Sequence, residues 1–409
     1  MKDIIIIGGG ASGLVAAIYA AKLGRKVTIL EKNKVCGKKI LITGNGKCNY
    51  WNDDQTLKHY HSNNKEIIEQ IINKSNQKEI LEFFDTLGII PKIKDGYYYP
   101  YSNQATSIQT ALVKEAELQG VEIIPETEVL NITKENNLFK IETSKDTYKA
   151  NKVILSTGSK ACPKTGSDGK GYKLAKSLGH SLIEPLPALV QLKSNAPFLK
   201  EWHGIRSDVS VSHIENNKLI STQIGEIQLT DYGVSGICIF CLSGQISRGL
   251  YQNKKEEISI NFLYPFNILT KKDFINWMDN RNKLVLNRSI SDLLVGILNY
   301  KLINLLLKLS KINRNLSWND LSINQKELLG NNLTSFILNI IDTNSFDSSQ
   351  TCTGGILLNE INPNNMESLK TKGLYITGEL IDIDGDCGGY NLTNAWITGY
   401  LAGKGVNND

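Results

Sequence analysis

The stretch "IIIIGGGASGLVAAIYAAKLG", residues 4–24, is the most apolar part of the chain. A membrane helix requires about 20 apolar residues in unbroken helix, whereas three consecutive glycines, Gly8 to Gly10, interrupt this stretch. The preceding "MKD" lacks the cationic start of a secretory signal, and the sequence runs on directly into a second apolar strand. The stretch therefore predicts a strand, a tight turn and a helix, with no membrane partner.

The glycine spacing matches a dinucleotide-binding fingerprint. In Gly8-x-Gly10-x-x-Gly13 the first glycine permits the turn, the second lets the backbone approach a pyrophosphate, and the third allows close packing of helix on strand. The unpaired N–H groups and positive dipole at the start of the helix stabilise the phosphates. The fingerprint also needs an acidic residue after the second strand to accept ribose hydroxyls, and "RKVTILEK" places Glu31 there. Because a bare βαβ unit would not need this acid, we predict a dinucleotide site.

Composition narrows the class of protein further. The chain has 409 residues, of which 41% are hydrophobic, and this predicts two or three domains with real cores. The net charge of +5 is mild and the cationic residues are scattered among acidic ones, so we predict no nucleic-acid partner. Seven cysteines, an odd number without regular spacing, indicate reduced thiols and a cytoplasmic protein.

The order of predicted elements indicates a domain interrupted by an insertion. After the first α/β unit, short β-type runs at 121–159 predict an antiparallel meander that ends in the buried strand "KVILSTG". Strand-like segments follow from about residue 191, then leucines at helical spacing, and α/β character returns after Thr351. The predicted domains are a discontinuous dinucleotide-binding domain, an inserted β-rich domain and an inserted helical domain, at 1–190 with 346–409, 191–270 and 271–345.

Other chemical motifs are weaker. Cys238 and Cys241 lie in "GICIFCLSG", which we predict to be a strand, where positions three apart point to opposite faces. Cys36 and Cys48 follow the second strand at a spacing unusual for a redox dithiol, and whether either is redox-active stays open. The five histidines show no ligand spacing, so we predict no metal site.

Six ordered blocks of the sequence resemble the signatures of a bacterial NAD(P)/FAD-dependent oxidoreductase family, whose members include aminoacetone-oxidase-like flavoproteins. The blocks are "GKKILITGNGKCNY", "DGYYYPYSNQATSI", "STGSKACPKTGSDGKGYKLAKSLGHSLIEPLPALVQL", "GEIQLTDYGVSG", "TCTGGI" and "GLYITGELIDIDGDCGGYNLTNAWITGYLAG". The resemblance implies an α/β fold in which a two-part, Rossmann-like FAD-binding domain carries an inserted β-barrel-like domain and a small helical domain.

The resemblance also assigns residues to FAD, bound without a covalent link. It assigns to the pyrophosphate Gly8, Gly10, Ala11, Ser12 and Gly13, to the ribose Glu31, and to the adenine Val129. It places along the cofactor Lys32, Lys39, Asn45, Gly46 and Asn49, beneath it Thr157 and Gly158, and at the ribityl or second phosphate Gly378 and Glu379. It places around the isoalloxazine ring Gly354, Gly355, Gly388, Gly389, Tyr390 and Asn391.

The expected activity is that of an FAD-dependent oxidoreductase that reduces a small organic substrate with hydride from NAD(P)H through flavin N5. No second Gly-x-Gly-x-x-Gly occurs in the sequence, so NAD(P)H is expected to dock transiently over the flavin. Two alternatives stay open, namely an oxygen-using amine oxidase and, less favoured, a flavin-binding RNA-modifying or redox-sensing protein. The sequence identifies neither a catalytic acid or base nor the oligomeric state.

Overall fold

The computed structural model describes residues 1–285 and 287–407. The chain divides into two compact units, which comprise residues 1–186 with 349–409 and residues 187–348. Elements are numbered in chain order through the whole chain. Three residues of the predicted domains, Leu286, Asn408 and Asp409, lie outside the described residues.

The discontinuous unit contains six α-helices and fourteen strands within the described residues. Its helices are α1 (Ala11–Lys22), α2 (Lys65–Ile71), α3 (Lys74–Thr86), α4 (Ala105–Leu118), α5 (Lys170–Ser177) and α12 (Tyr390–Gly405). Its strands are β1 (Lys2–Ile7), β2 (Val27–Leu30), β3 (Trp51–Asn52), β4 (Tyr60–His61), β5 (Pro91–Lys94), β6 (Tyr97–Pro100), β7 (Glu122–Ile124), β8 (Val129–Glu135), β9 (Leu138–Thr143), β10 (Thr147–Leu155), β11 (Leu182–Ala188), whose last two residues belong to the other unit, β19 (Thr351–Ile356), β20 (Leu374–Ile376) and β21 (Asp384–Gly385).

The main sheet of this unit is doubly wound, with the strand order β7-β2-β1-β10-β9-β8 and β20 beside β10. Strand β1 runs parallel to both β2 and β10, and β2 runs parallel to β7. The first half of β10 pairs antiparallel with β9, whereas its last three residues pair parallel with β20. Strands β8, β9 and β10 thus form the predicted meander, and the C-terminal part of the chain completes the sheet.

Small residues allow α1 and α12 to cross closely. A Cβ atom at Gly399 would lie 2.4 Å from the backbone oxygen of Ser12, and one at Gly403 would lie 2.6 Å from that of Ala16. Any residue other than glycine at these two positions would force the backbones of α1 and α12 apart. The close crossing fixes the start of α1 next to the C-terminal segment.

Three smaller sheets complete this unit. Their strand orders are β3-β6-β5, β21-β4 and β11-β19. In the pair β21-β4, Asp384 lies opposite His61 and Gly385 lies opposite Tyr60. This pairing joins the segment before α2 to the turn that precedes α12.

The second unit combines an antiparallel sheet with helices. Its strands are β12 (Leu192–Lys193), β13 (Arg206–Glu215), β14 (Lys218–Leu229), β15 (Gly233–Ser235), β16 (Glu256–Asn261), β17 (Phe336–Ile340) and β18 (Asp342–Thr343), and its helices are α6 (Leu199–Trp202), α7 (Ile237–Tyr251), α8 (Lys271–Leu284), α9 (Ile290–Leu294), α10 (Tyr300–Leu309) and α11 (Ile323–Thr334). The strand order is β17-β16-β13-β14-β15-β12-β18. The Rossmann-like α/β fold with an inserted antiparallel β module and helices is therefore confirmed.

The finer division of the insert stays a prediction. Strands β17 and β18 fall within the predicted helical segment 271–345, yet they pair with β16 and β12 of the sheet. One buried cluster also contains residues of both segments, for example Ile258 and Phe274. The two segments therefore share a sheet and a core within the second unit.

The strand predicted for "GICIFCLSG" is wrong, because residues 237–251 form α7. Its β-branched and aromatic residues favour a strand by local preference. In the structure Ile239, Leu242 and Ile246 are buried at helical spacing along one side of α7. Among the described residues, no helix combines the length and the apolar character needed to cross a membrane.

Candidate functional site

The glycines of the first turn have three distinct environments. Gly8 has φ +100°, and a Cβ there would lie 2.6 Å from the backbone oxygen of Ser156. A Cβ at Gly13 would lie 2.1 Å from the backbone oxygen of Gly8, so only glycine allows α1 to approach the turn. At Gly10 the nearest atom to such a Cβ is 3.9 Å away, again Ser156 O. The first and third glycines thus serve the packing, whereas Gly10 leaves open space at the helix start.

The start of α1 fits an anionic cofactor. The first N–H groups of a helix have no partner within the helix, and neither a side-chain cap nor an acidic residue occupies the first turn of α1. The positive end of the helix dipole points to the same place. The N–H groups of Ala11, Ser12 and Gly13 are therefore suited to the pyrophosphate of FAD.

Glu31 lies buried directly after β2, with its carboxylate turned to the glycine turn. Its Oε2 accepts the Gly9 N–H at 2.8 Å, and its Oε1 accepts the N–H and side-chain amide of Asn33 at 2.8 and 2.7 Å. A carboxylate has about four acceptor sites, so capacity for a ribose hydroxyl remains. The N–H of Thr127 donates to the backbone oxygen of Glu31 at 2.9 Å, and Thr127 lies two residues before Val129, the first residue of β8.

Two lysines assigned to the cofactor make ion pairs. Lys39 Nζ lies 2.5 Å from Glu379 Oε2, and Ser159 Oγ donates to the same oxygen at 3.0 Å. Lys32 Nζ pairs with Asp168 Oδ2 at 2.8 Å. The fold therefore brings Lys39 and Glu379 together from opposite ends of the chain, with Ser159 of the loop after β10.

The loop before β3 has an unusual backbone. Gly44, Asn45 and Gly46 all have positive φ, of 54°, 55° and 81°, and Asn45 and Gly46 are exposed. The Asn49 side chain is buried, and in the amide orientation that satisfies its neighbours it donates to Trp51 O at 2.8 Å. Asn45 and Gly46 are thus available to a ligand, while Asn49 holds the loop.

The loop after β10 lies against the glycine turn through its backbone. A Cβ at Gly8 would lie 3.2 Å from Thr157 Cα. The Thr157 hydroxyl points instead toward α5, where a Cβ at Gly171 would lie 1.7 Å from it. Gly158 has φ +71°. Any contact of Thr157 and Gly158 with FAD would therefore come from their main chain.

The C-terminal glycines lie where neighbouring atoms leave no room for a side chain. A Cβ at Gly378 would lie 2.6 Å from Ser12 Oγ, which places this glycine at the start of α1. Cβ atoms at Gly354 and Gly355 would lie 2.5 Å from Glu184 O and 2.7 Å from the carbonyl carbon of Ile381. Their assignment to the isoalloxazine ring stays a prediction.

The turn before α12 is equally tight. Gly389 caps the helix with φ +96°, and a Cβ there would lie 3.0 Å from Trp51 O. A Cβ at Gly388 would lie 2.8 Å from the Tyr97 ring. The Asn391 side chain exchanges two hydrogen bonds with the backbone of Gly385, at 2.9 and 2.8 Å. The contacts of Asn391 within the protein therefore hold the turn in shape.

Tyr390 stands between two aromatic rings. Its ring stacks on His59 with centroids 4.4 Å apart and an interplanar angle of 16°, and it meets Tyr60 edge to face at 5.6 Å. Tyr390 is buried. The structure thus places this predicted cofactor residue beside a histidine that the sequence did not single out.

That histidine belongs to a polar cluster, named here the His59–Asp386–His61 cluster. Asp386 Oδ2 lies 3.0 Å from His59 Nδ1, and its Oδ1 lies 3.0 Å from His61 Nε2. Asp54 Oδ2 lies 3.1 Å from His59 Nε2. His61 and Asp386 are 325 positions apart, so spacing along the chain could not reveal their pairing. The local sequence shows only that two histidines, His59 and His61, and two acids, Asp384 and Asp386, each lie two positions apart.

Three buried cysteines, Cys36, Cys48 and Cys238, are poorly suited to redox chemistry. All seven cysteines lie in the described part of the chain and none forms a disulfide. Burial raises the pKa of Cys36 and of Cys48 to about 12 in each case, and it has the same effect on Cys238. Thiols with such pKa values are protonated at neutral pH, and the thiolate is the reactive form. Among the described residues, no group of three or more His, Cys, Asp or Glu is placed to hold a metal ion.

Comparisons with known proteins extend over nearly the whole chain. The HI0933-like protein Rossmann domain family matches residues 2–405. A 3-dehydro-bile acid delta(4,6)-reductase of Clostridium scindens is 41% identical over 408 residues, which cover 99% of this chain and 98% of that protein. A ribosomal RNA dihydrouridine synthase of Escherichia coli is 27% identical over 402 residues, covering 98% and 97% of the two chains.

The fold also resembles that of a solved dehydrogenase. A 3-ketosteroid-delta4-(5alpha)-dehydrogenase of Rhodococcus jostii, in complex with 4-androstene-3,17-dione, superposes with a TM-score of 0.50 over 100% of this chain and 97% of that one. The sequence identity is 14%, so this likeness concerns the fold alone. The resemblance drawn from the six sequence blocks is confirmed by the family match. The chain belongs to the HI0933-like Rossmann family and is an FAD-dependent oxidoreductase.

Proposed function

We propose that this enzyme reduces a carbon–carbon double bond conjugated to a carbonyl group in a small organic molecule, with NAD(P)H as the electron donor. The observation that carries the proposal is the 41% identity, over nearly both full lengths, to a protein named as a bile acid delta(4,6)-reductase. The name of the 27% identical relative, a dihydrouridine synthase, also describes hydrogen added to such a bond. Two relatives with different substrates thus share one kind of reaction.

FAD, when bound, supplies hydride transfer through its N5 atom, and the protein binds and orients it. The N–H groups of Ala11, Ser12 and Gly13 would hold the pyrophosphate, and Glu31 would accept the ribose hydroxyls. The Lys39 and Glu379 pair lies 2.5 Å apart beside Ser159 and would supply both a cation and an acceptor to the middle of the cofactor. The predicted contacts of Asn45, Gly46, Val129 and the C-terminal glycines complete this proposal.

The donor and the subcellular location are part of the proposal. A single Gly-x-Gly-x-x-Gly is present, so NAD(P)H would dock transiently over the flavin. Reduced thiols in a protein with seven cysteines and no disulfide favour the cytoplasm. The predicted absence of a nucleic-acid partner stays a prediction, because one relative is named for its action on ribosomal RNA.

An RNA base is accordingly the second candidate substrate. The uracil ring contains a double bond next to a carbonyl, so the same chemistry would apply. The mild charge of +5 and its scattered distribution favour the small molecule, since phosphate contacts need clustered cations.

Anaerobic mixing tests these proposals in two steps. NADH or NADPH should bleach the flavin absorption of the purified protein, and a 3-oxo-Δ4 steroid should then restore it. Bleaching by an amine without a nicotinamide would support the amine oxidase instead. Restoration by uridine-containing RNA, with no response to the steroid, would move the substrate assignment to RNA.

A further inference from the structure

The reaction proposed above consumes a proton as well as a hydride. The π bond of the substrate breaks and two C–H bonds form, one with a hydride drawn from the reduced cofactor and one with a proton. The nicotinamide donor supplies the electrons for the cofactor. The proton needs an acid whose N–H or O–H bond breaks during the transfer, and none of the residues assigned to FAD was given this role.

We propose that His61, joined to His59 through Asp386, supplies this proton. The inference rests on the proposed function, since an oxidase would not need a proton donor of this kind. An imidazolium would release its proton to the substrate carbon, become neutral and regain a proton from solvent. Positioned acids of this type accelerate reactions by about 10²–10⁴-fold.

The geometry joins the two imidazoles in one network. Asp386 binds both of them, one with each carboxylate oxygen and each at 3.0 Å. His59 is also held at its other nitrogen by Asp54, at 3.1 Å. Both nitrogens of His59 face carboxylates, so this ring is committed to Asp386 and Asp54. The Asp386 carboxylate beside Nε2 favours the imidazolium form of His61 that an acid requires.

The surrounding charges act in the same direction. Burial lowers the pKa of His61, but the hydrogen bond to Asp386 and the charges of Asp384 and Asp386 outweigh it, while Lys65 opposes them. The net effect is a raised pKa for His61. The groups that face His59 are Asp54, which also pairs with Lys58 at 2.7 Å, together with Asp386 and Tyr390.

The position of the cluster suits proton delivery. His59 stacks on Tyr390, the first residue of α12, directly after the glycines predicted to adjoin the isoalloxazine ring. Asp386 is only 9% exposed, whereas the side chains of His59 and His61 are 22% and 24% exposed. The carboxylate is therefore sheltered, and the His61 imidazole can exchange a proton with a substrate or with water.

A purely structural role is the competing explanation. The N–H of Asp386 donates to His59 O at 2.9 Å, so the network also ties the turn before α12 to β4. A clamp of this kind would hold the turn whatever the reaction. Loss of a structural clamp would slow both half-reactions alike, whereas loss of a proton donor would slow only the reoxidation by the substrate.

The first test measures protonation in the FAD-loaded protein without substrate. In an NMR titration of the histidine rings, His61 should titrate above the ordinary value of about 6.5. The titration of His61 should move to lower pH in Asp386→Asn. His61→Gln assigns the resonance, and His203→Gln, in the second unit, is the control. A wild-type His61 that titrates at or below the ordinary value overturns the inference whatever the substrate is.

The second test separates the half-reactions. The variant His61→Gln should be bleached by NAD(P)H at the wild-type rate, whereas reoxidation by a 3-oxo-Δ4 steroid should slow by about 100-fold or more. His59→Gln should slow reoxidation less, because it removes only a neighbour of Asp386. In Asp386→Asn the reoxidation rate should begin to fall at a lower pH than in the wild type. Equal reoxidation rates in all variants, or loss of FAD with both half-reactions slowed alike, would overturn the inference. A wild-type protein that no such steroid reoxidises would instead contradict the proposed function.

Discussion

At the scale of single residues, the site depends on side chains that are held before any ligand binds. Glu31 accepts three hydrogen bonds from Gly9 and Asn33, which fixes its carboxylate at the start of α1. The arrangement removes the cost of ordering the side chain when a ribose binds. The same logic applies to Lys39, whose amine is held by Glu379.

We predict that Glu31→Gln weakens FAD binding by roughly 10- to 150-fold, because a hydrogen bond to a charged group contributes about 1.5–3 kcal/mol. Fluorescence titration of apoprotein with FAD would measure the dissociation constants. Glu135→Gln, at the exposed end of β8, is the control and should bind like the wild type. Equal FAD affinity in Glu31→Gln and wild type would remove Glu31 from the cofactor site.

At the scale of elements, the crossing of α1 and α12 brings the two ends of the chain to one place. The turn before α12 carries Gly388 and Gly389, and the start of α1 carries the N–H groups predicted to bind the phosphates. Their relative position depends on glycines at the crossing, because larger residues would clash with backbone atoms. The site is therefore sensitive to changes that touch no ligand.

We predict that Gly399→Val destabilises the protein by about 1–3 kcal/mol or more and reduces its FAD content, because a Cβ there would lie 2.4 Å from Ser12 O. Urea unfolding and the flavin-to-protein absorbance ratio would measure the two effects. Lys404→Ala on an exposed position of α12 is the matched control. Wild-type stability of Gly399→Val would show that the crossing tolerates a wider spacing.

At the scale of the whole molecule, each unit has its own buried apolar cluster. Every residue assigned to FAD lies within residues 1–186 and 349–409. Strands β11 and β19, which flank the insertion, pair with each other in a two-stranded sheet. The discontinuous unit therefore has the features of a domain that can fold alone.

We predict that a chain in which a short linker joins Leu186 to Ser349 folds and retains FAD. Size-exclusion chromatography and the flavin released by acid precipitation would test this. The same shortened chain with Glu31→Gln is the control and should lose most of its flavin. A shortened chain that is folded but binds no FAD would show that the insertion contributes to the cofactor site.

Much of the fold could be predicted because its signals are local. The strand, glycine turn and helix at residues 4–24, the acid at position 31 and the meander before Thr157 are all readable from neighbouring residues, since turn chemistry and periodicity act over a few positions. Gly13 illustrates the reason, because a Cβ atom there would clash with the backbone of Gly8, only five residues earlier.

Tertiary structure alone decided the features that join distant parts of the chain. The pairs of Lys39 with Glu379 and of His61 with Asp386 span 340 and 325 positions, and hydrogen bonds over such separations follow from sheet pairing and helix packing. Residues 237–251 form a helix rather than the predicted strand because burial of one helical face outweighs local preference. The sequence by itself thus determined the nucleotide-binding unit, whereas only the folded chain assembled the candidate acid, because its members meet through β4 and β21.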